Sequence, residues 1–194
     1  MQFTNGGIDV IVDILSQVRE HYLEHYAASL EAYRATHAPS APEILLELDR
    51  ECPLAYKFYR VDMGSNAGGE FSVQEVNPET HLNFELLHEQ IGAVDVSLAP
   101  IAWNGVEIIA QLKEFEPSLI ERWTLKWLDI EDCHAQDRHG LQSVIHSVVK
   151  PEFENNALHL SIDFGSAPLD SFMELISILE DMGAAQVQII SSCI

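Results

Sequence analysis

Residues 157–190 read ALHLSIDFGSAPLDSFMELISILEDMGAAQVQII, and this stretch decides the fold class. Its first part, residues 157–164, alternates apolar and polar side chains, which predicts a strand with one buried face. Pro168 then lies in the first turn of a predicted helix that Gly183 ends. A last strand around Val187 follows. The pattern predicts a C-terminal strand–helix–strand unit.

Upstream of this unit, the apolar residues of segment 8–37 recur at helical spacing, with acidic residues on the opposite side, so we expect a long amphipathic N-terminal helix. A short helix is predicted at 43–50. A middle helix is predicted at 117–130, where Ser118 and Glu121 match a capping box and two tryptophans share one face.

Between the helices the period changes to two, which predicts strands at 54–58, 71–73, 82–86 and 94–98. Asn104-Gly105 is a strong hairpin signal, which we expect to pair segment 94–103 with 106–111. A further strand is predicted at 142–149. Residues 1–194 are thus expected to form a single α+β domain with a mainly antiparallel sheet of about six to seven strands, a long N-terminal helix, a Trp-containing middle helix and the C-terminal unit.

The formal net charge is −21, from 31 acidic residues against 10 Lys and Arg. Such a field repels phosphate backbones and anionic lipid head groups, so nucleic acid and membranes are not expected as partners, whereas a basic protein would be attracted. The charge is also uneven: between Arg60 and Lys113 there are eight acids and no lysine or arginine. High charge that merely keeps the protein soluble is the alternative reading.

The three cysteines are widely spaced without a CxxC, and the N-terminus lacks a signal-peptide pattern, so a cytoplasmic location is expected. Several chemical sites were considered, and none is predicted. His21 and His25 have the i, i+4 spacing of helical zinc ligands but lack further ligands. His146, Asp163 and Ser166 would supply a triad, but no GxSxG accompanies them, and Ser166 is expected to cap the last helix.

Paired carboxylates such as Glu75 and Glu79 would suit acid–base chemistry only if a pocket raised one pKa. No catalytic residue, metal or cofactor is therefore expected. The glycine-rich stretch 64–69 lacks the spacing of a phosphate-binding loop, so it is interpreted as a hairpin loop.

The stretch 140–149, GLQSVIHSVV, together with 157–190, resembles the C-terminal part of immunity proteins found beside bacterial polymorphic and type VI secreted toxins. The segment WNG at 103–105 is loosely similar as well. Within this group the chain is most similar to proteins paired with nuclease toxins of the restriction-endonuclease-like class. The resemblance implies a cytoplasmic, non-enzymatic α+β protein that sequesters a co-encoded toxin.

We therefore expect an immunity protein that neutralises a basic, nuclease-like toxin through an acidic surface. The acids expected to contact the partner come from the stretch without basic residues: Glu70, Glu75, Glu79, Glu85, Glu89 and Asp95. One alternative is a small hydrolase or metal-dependent enzyme that uses histidines and carboxylates. Another is a scaffolding domain that self-associates, for example as a homodimer.

Overall fold

The computed structural model describes residues 6–48, 53–66, 69–76 and 81–191. Within these ranges the chain forms three helices and ten strands, which confirms the predicted α+β class. The helices are α1 (Gly6–Arg34), α2 (Pro117–Trp127) and α3 (Leu169–Asp181). The strands are β1 (Ser40–Glu47), β2 (Phe58–Ser65), β3 (Ser72–Gln74), β4 (Leu87–Ile91), β5 (Val94–Leu98), β6 (Val106–Gln111), β7 (Ser147–Val148), β8 (Glu152–Glu154), β9 (Ala157–Asp163) and β10 (Gln186–Ser191).

The strands form two sheets rather than one. The smaller sheet has the order β1-β2-β3, and the larger, seven-stranded sheet has the order β4-β5-β10-β6-β9-β7, with β8 paired to β9. All pairs are antiparallel except β5 with β10. The strand–helix–strand unit β9–α3–β10 forms as predicted, and β6 lies between its two strands.

The predicted hairpin across Asn104-Gly105 is wrong. A turn does form there, with Gly105 N–H donating to Ala102 O, but β5 and β6 are not neighbours. Instead β10 inserts between them, and Gln186 is in register with both Asp95 and Gln111. The Asn-Gly pair indicates that the chain reverses direction there. It does not indicate that a strand more than 70 residues later in the sequence, β10, pairs between the two segments.

Four smaller predictions also differ from the structure. Segment 43–50 contributes to β1 rather than a helix, and Glu43 has φ 53, which no right-handed helix accepts. Segment 54–58 contains a short turn, Ala55–Lys57, in place of most of the predicted strand, because Tyr56 and Lys57 have positive φ and so depart from the extended conformation. Residues 81–86 form no strand, and segment 142–149 forms a strand only at β7, followed by an isolated bridge between Val149 and Leu54. The capping box does not form, since Ser118 Oγ donates instead to Glu116 Oε1 at 2.8 Å.

All three helices contribute to one core against one face of the larger sheet. Five of the six members of the predicted apolar stripe of α1 are at most 3% exposed: Ile11, Leu15, Val18, Tyr22 and Tyr26. The sixth, Tyr33, is only partly buried. The sheet contributes every second residue of each strand to the same core, including Val96, Ile108, Leu160 and Ile189. Burial of this apolar face is the main force that holds the helices on the sheet.

The two tryptophans of α2 are part of this core, as expected. Trp123 Nε1 donates to Ser171 O at 2.9 Å, and Trp127 Nε1 donates to Glu174 Oε2 at 2.7 Å. Both bonds fix α2 against α3. Among the described residues, no helix is long and apolar enough to cross a lipid bilayer.

Candidate functional site

The larger sheet has a second face that the helices leave open. Strand side chains alternate between faces, so the residues between the buried ones all point to this side. Residues of β4, β5, β10 and β6 there line a groove of about 610 Å³, which we call the open-face groove. Its polar lining residues are His88, Gln90, Asp95, Ser97, Gln111, Gln186 and Gln188, and Ile109 is the half-buried apolar one.

Strand register arranges these residues in rows across the groove. Gln90 is opposite Asp95, Asp95 is opposite Gln186, and Gln186 is opposite Gln111. Residues directly opposite one another in a sheet have Cβ atoms about 5 Å apart on the same face. The row Gln90–Asp95–Gln186–Gln111, which we call the amide row, therefore places one carboxylate among three amides.

The open-face groove carries negative charge without compensation. Among the described residues that line it there is no lysine or arginine. In the part of the chain that the structure describes, Asp95 forms no ion pair, and its side chain is exposed. The carboxylate is thus available to a positively charged group from outside.

Two of the six acids predicted to contact a partner border this groove. Asp95 points into it. Glu89 also borders it, but its register partner is the buried Val96, so alternation directs the Glu89 side chain toward the helix side at the edge of the sheet. Glu85 is exposed in the extended segment that leads into β4.

Two others lie on the smaller sheet. Glu70 and Glu75 flank the edge strand β3, and both are exposed. The side chains of Phe71 and Val73 between them are 54% and 46% exposed. The five of these acids that the structure describes are therefore distributed over the surroundings of both sheets. The sixth, Glu79, lies outside the described residues, as do Cys52 and Cys193.

A second notable site is a cluster of ionisable groups around His146, just before β7. Nε2 of His146 lies 3.0 Å from Glu43 Oε1 on β1, and Nδ1 lies 2.9 Å from Asp62 Oδ1 on β2. Asp163 Oδ2, at the end of β9, is 3.9 Å from Nδ1. At 2.9 Å the buried Asp62 carboxylate forms an ion pair with the imidazolium of His146. We call these four residues the His146 cluster.

The local backbone makes room for this cluster. Gly165 approaches the imidazole so closely that a Cβ atom there would lie 2.2 Å from His146 Cδ2. The Gly165 N–H donates to Asp163 Oδ1 at 2.8 Å, which orients that carboxylate. Ser166, next in sequence, accepts a hydrogen bond from Val144 N–H at its Oγ, so the prediction that it caps α3 is wrong. Pro168 takes that position.

Arg60 supports the cluster from the side. Its guanidinium donates three hydrogen bonds of 2.7 Å, to the carbonyl oxygens of Glu43, Leu128 and Asp129. The residue is 3% exposed. Because Arg60 donates to the Glu43 carbonyl oxygen, the backbone at Glu43 is fixed, while the Glu43 carboxylate accepts from Gln142 N–H and contacts His146.

Proximity of these groups changes their proton affinities. Burial alone would lower the pKa of His146, yet the carboxylates of Asp163, Asp62 and Glu43 raise it well above its ordinary value. Burial raises the pKa of Asp163 to about 6 against the opposing effect of His146. Partial burial and the neighbouring Asp62 raise the pKa of Glu75 to about 7, although the residue keeps an exposed surface. His146 is thus held as an imidazolium among competing carboxylates.

Sequence reasoning named His146 and Asp163 but not this arrangement. The suggested partner Ser166 bonds elsewhere, and the true partners Glu43 and Asp62 come from the smaller sheet. The cluster joins the two sheets and would suit proton exchange. The rings of His21 and His25 lie against each other, with centroids 4.5 Å apart, and His25 Nδ1 is 2.8 Å from the His21 carbonyl oxygen. Across the described ranges, no group of three or more His, Cys, Asp or Glu residues is arranged to hold a metal ion.

No family model matches the chain, and no curated protein or solved structure is significantly similar to it.

Proposed function

We propose that the protein is an immunity protein that binds and neutralises a co-encoded toxin, a basic nuclease effector of a polymorphic or type VI secretion system, in the bacterial cytoplasm. The observation that carries the proposal is the open-face groove, in which Asp95 is exposed and no described lining residue is a lysine or an arginine. A partner surface rich in lysine and arginine complements such a groove.

The electrostatics of the whole chain support the same partner class. With 31 acidic residues against 10 Lys and Arg, the protein attracts a basic protein over a distance before contact. Complementary charge raises association rates from about 10⁵–10⁶ to as much as about 10⁹ M⁻¹s⁻¹ at low salt. A nuclease must hold phosphates, so its active-site surface is basic, and an acidic protein docked there competes with the nucleic acid.

The first experiment is a pull-down with the proteins encoded beside this one, followed by co-expression to measure rescue from toxicity. We expect one neighbour to be a toxic basic protein that forms a stable complex and loses its toxicity. If the neighbours neither bind nor harm the cell, the proposal is wrong.

The second experiment tests which acidic surface attracts the toxin. Reversal of the exposed acids Glu70, Glu85 and Asp95 to lysine should slow association with the toxin at low salt. The matched control reverses three exposed acids of α1, namely Asp13, Glu24 and Glu31, which changes the net charge equally. Equal effects of both triple variants, across salt concentrations, would assign the attraction to net charge and contradict the proposed surface.

A hydrolase is the second candidate, because the His146 cluster gathers a histidine with three carboxylates. The side chain of His146 is 2% exposed, while 29% of the Asp163 side chain is accessible. Substrate would therefore have to approach through Asp163. Hydrolytic activity of the purified protein that disappears in Asp163→Asn, with no binding to any neighbour, would favour this candidate.

A further inference from the structure

The amide row places one exposed carboxylate, that of Asp95, between two glutamine side chains. Asp95 has Gln90 on one side and Gln186 on the other, in register across three adjacent strands. All three side chains are exposed on the open face. A carboxylate flanked by amides presents several hydrogen-bond acceptors in one line, since each amide oxygen has two lone pairs.

A line of acceptors around one negative charge matches the chemistry of a guanidinium. Arginine carries five N–H donors in a planar fork and binds a carboxylate through two parallel hydrogen bonds. The remaining donors of the fork would be satisfied by the amide oxygens of Gln90 and Gln186. A lysine ammonium is a compact point charge and would use fewer of these acceptors.

The floor of the groove suits the rest of an arginine side chain. Ile109 is half-buried on β6 next to Gln188, one row away from Asp95 and Gln186. The methylene stem of an arginine packs on such an apolar surface while its head reaches a polar group. A second copy of this chain is not the occupant the charge favours, because a self-pair through this face would bring acidic surfaces together.

We infer that the amide row is the anchor site for an arginine side chain of the basic partner, with Asp95 bound by the guanidinium fork and Gln90 and Gln186 completing its hydrogen bonds. The inference rests on the proposed function for the identity of the partner. The chemistry of the site itself does not depend on which basic protein supplies the arginine.

The test uses the full chain and two probes. In the first arm, hexa-arginine and hexalysine are titrated into the ¹⁵N-labelled protein at low salt, and amide shifts are followed at residues 90, 95 and 186. We expect hexa-arginine to shift these amides more strongly than hexalysine, and Asp95→Asn to remove the effect. Asp13→Asn, an equivalent charge change on the helix side, should leave the shifts intact. Equal shifts in both variants would overturn the inference.

In the second arm, the affinity for the basic neighbour found in the pull-down is measured. Loss of a charged partner at a hydrogen-bonded contact should weaken binding by roughly tenfold or more in Asp95→Asn. If the neighbour binds both Asp95→Asn and Asp13→Asn as tightly as the unaltered protein, the anchor site is wrong and the proposed function stands. If no neighbour binds but the hexa-arginine shifts occur as expected, the proposed function is wrong and the anchor site stands.

Discussion

Nε2 of His146 lies 3.0 Å from Oε1 of Glu43, a residue 103 positions earlier in the chain. This contact joins the larger sheet to the smaller one, because Glu43 belongs to β1 and His146 immediately precedes β7. A second carboxylate of the smaller sheet, Asp62, lies on the other side of the same imidazole. The His146 side chain therefore contacts two carboxylates of the smaller sheet, beside the backbone hydrogen bond that Arg60 N–H of β2 donates to His146 O.

Replacement of His146 by leucine should destabilise the protein strongly. The substitution removes the positive charge and leaves the buried carboxylates of Glu43 and Asp62 facing each other. Breaking a buried ion pair in this way typically costs about 3–5 kcal/mol. The free energy of unfolding in urea measures the loss. The double variant His146→Leu with Glu43→Gln should be less destabilised than the sum of the single variants, and strict additivity would contradict the pairing.

Stability should fall as the pH rises through the neutral range. The pKa of Asp163 rises from 3.8 to about 6 in the folded state, and that of Glu75 rises from 4.5 to about 7. Each group therefore binds its proton more tightly in the folded protein, and the stability that this contributes at low pH is lost as the pH rises between those two values. The pKa of His146 is also raised, so its contribution persists below 6.5 and is lost at higher pH as the imidazolium deprotonates.

Unfolding free energies between pH 4 and 9 test this dependence. Asp163→Asn should flatten the curve in the acidic part of the range, and Glu75→Gln should flatten it up to neutrality. Because Glu75 is partly exposed, solvent weakens its effect, and the Asp163 variant should show the larger change. A stability that rises with pH would contradict the proton affinities described for the cluster.

Gly165→Ala should lower the stability of the protein more than an alanine substitution at a glycine that has positive φ and free space around it. The added Cβ would lie 2.2 Å from His146 Cδ2, so the cluster must shift. Gly140→Ala is the matched control, since Gly140 also has positive φ but nothing lies within 4 Å of its Cβ position. The control should lose about 1–2 kcal/mol from backbone strain. If thermal denaturation shows equal losses, steric contact with His146 is not important.

Arg60→Lys should destabilise the protein although the charge is kept. The guanidinium donates to three carbonyl oxygens at once, and an ammonium cannot reach all three with the same geometry. Each buried carbonyl left without a donor costs about 1–3 kcal/mol. Urea denaturation measures the loss, and Arg122→Lys on the exposed side of α2 is the control that should have little effect.

Much of the fold could be predicted from local patterns. The alternation of β9, the apolar stripe of α3 and the stop at Gly183 are properties of short segments, so the C-terminal unit was correctly expected. The placement of β10 between β5 and β6 depends on contacts between distant segments, which no local period encodes. The helix predicted at 43–50 does not form, because Glu43 has positive φ and the segment pairs with β2, a contact that the local pattern does not encode.

In the candidate site, too, local features could be predicted from the sequence and long-range contacts could not. Asp95 was selected from the stretch without basic residues, and it lies on the open face. Its glutamine neighbours were not anticipated, because Gln186 reaches Asp95 only through the inserted strand. The His146 cluster could not be assembled from sequence either, since its members come from β1, β2, β9 and the residue before β7. Such pairings become visible only in three dimensions.

The insertion of β10 has a consequence for biosynthesis. During translation β5 and β6 leave the ribosome well before β10, and without β10 they have no partner strand between them. Pairings between distant segments form slowly, because the intervening chain must first be ordered. The groove and its proposed arginine anchor thus do not exist on a nascent chain until residues 186–191 have emerged. Under the proposed function, a toxin made at the same moment would meet no competent inhibitor, and protection would depend on molecules completed in advance.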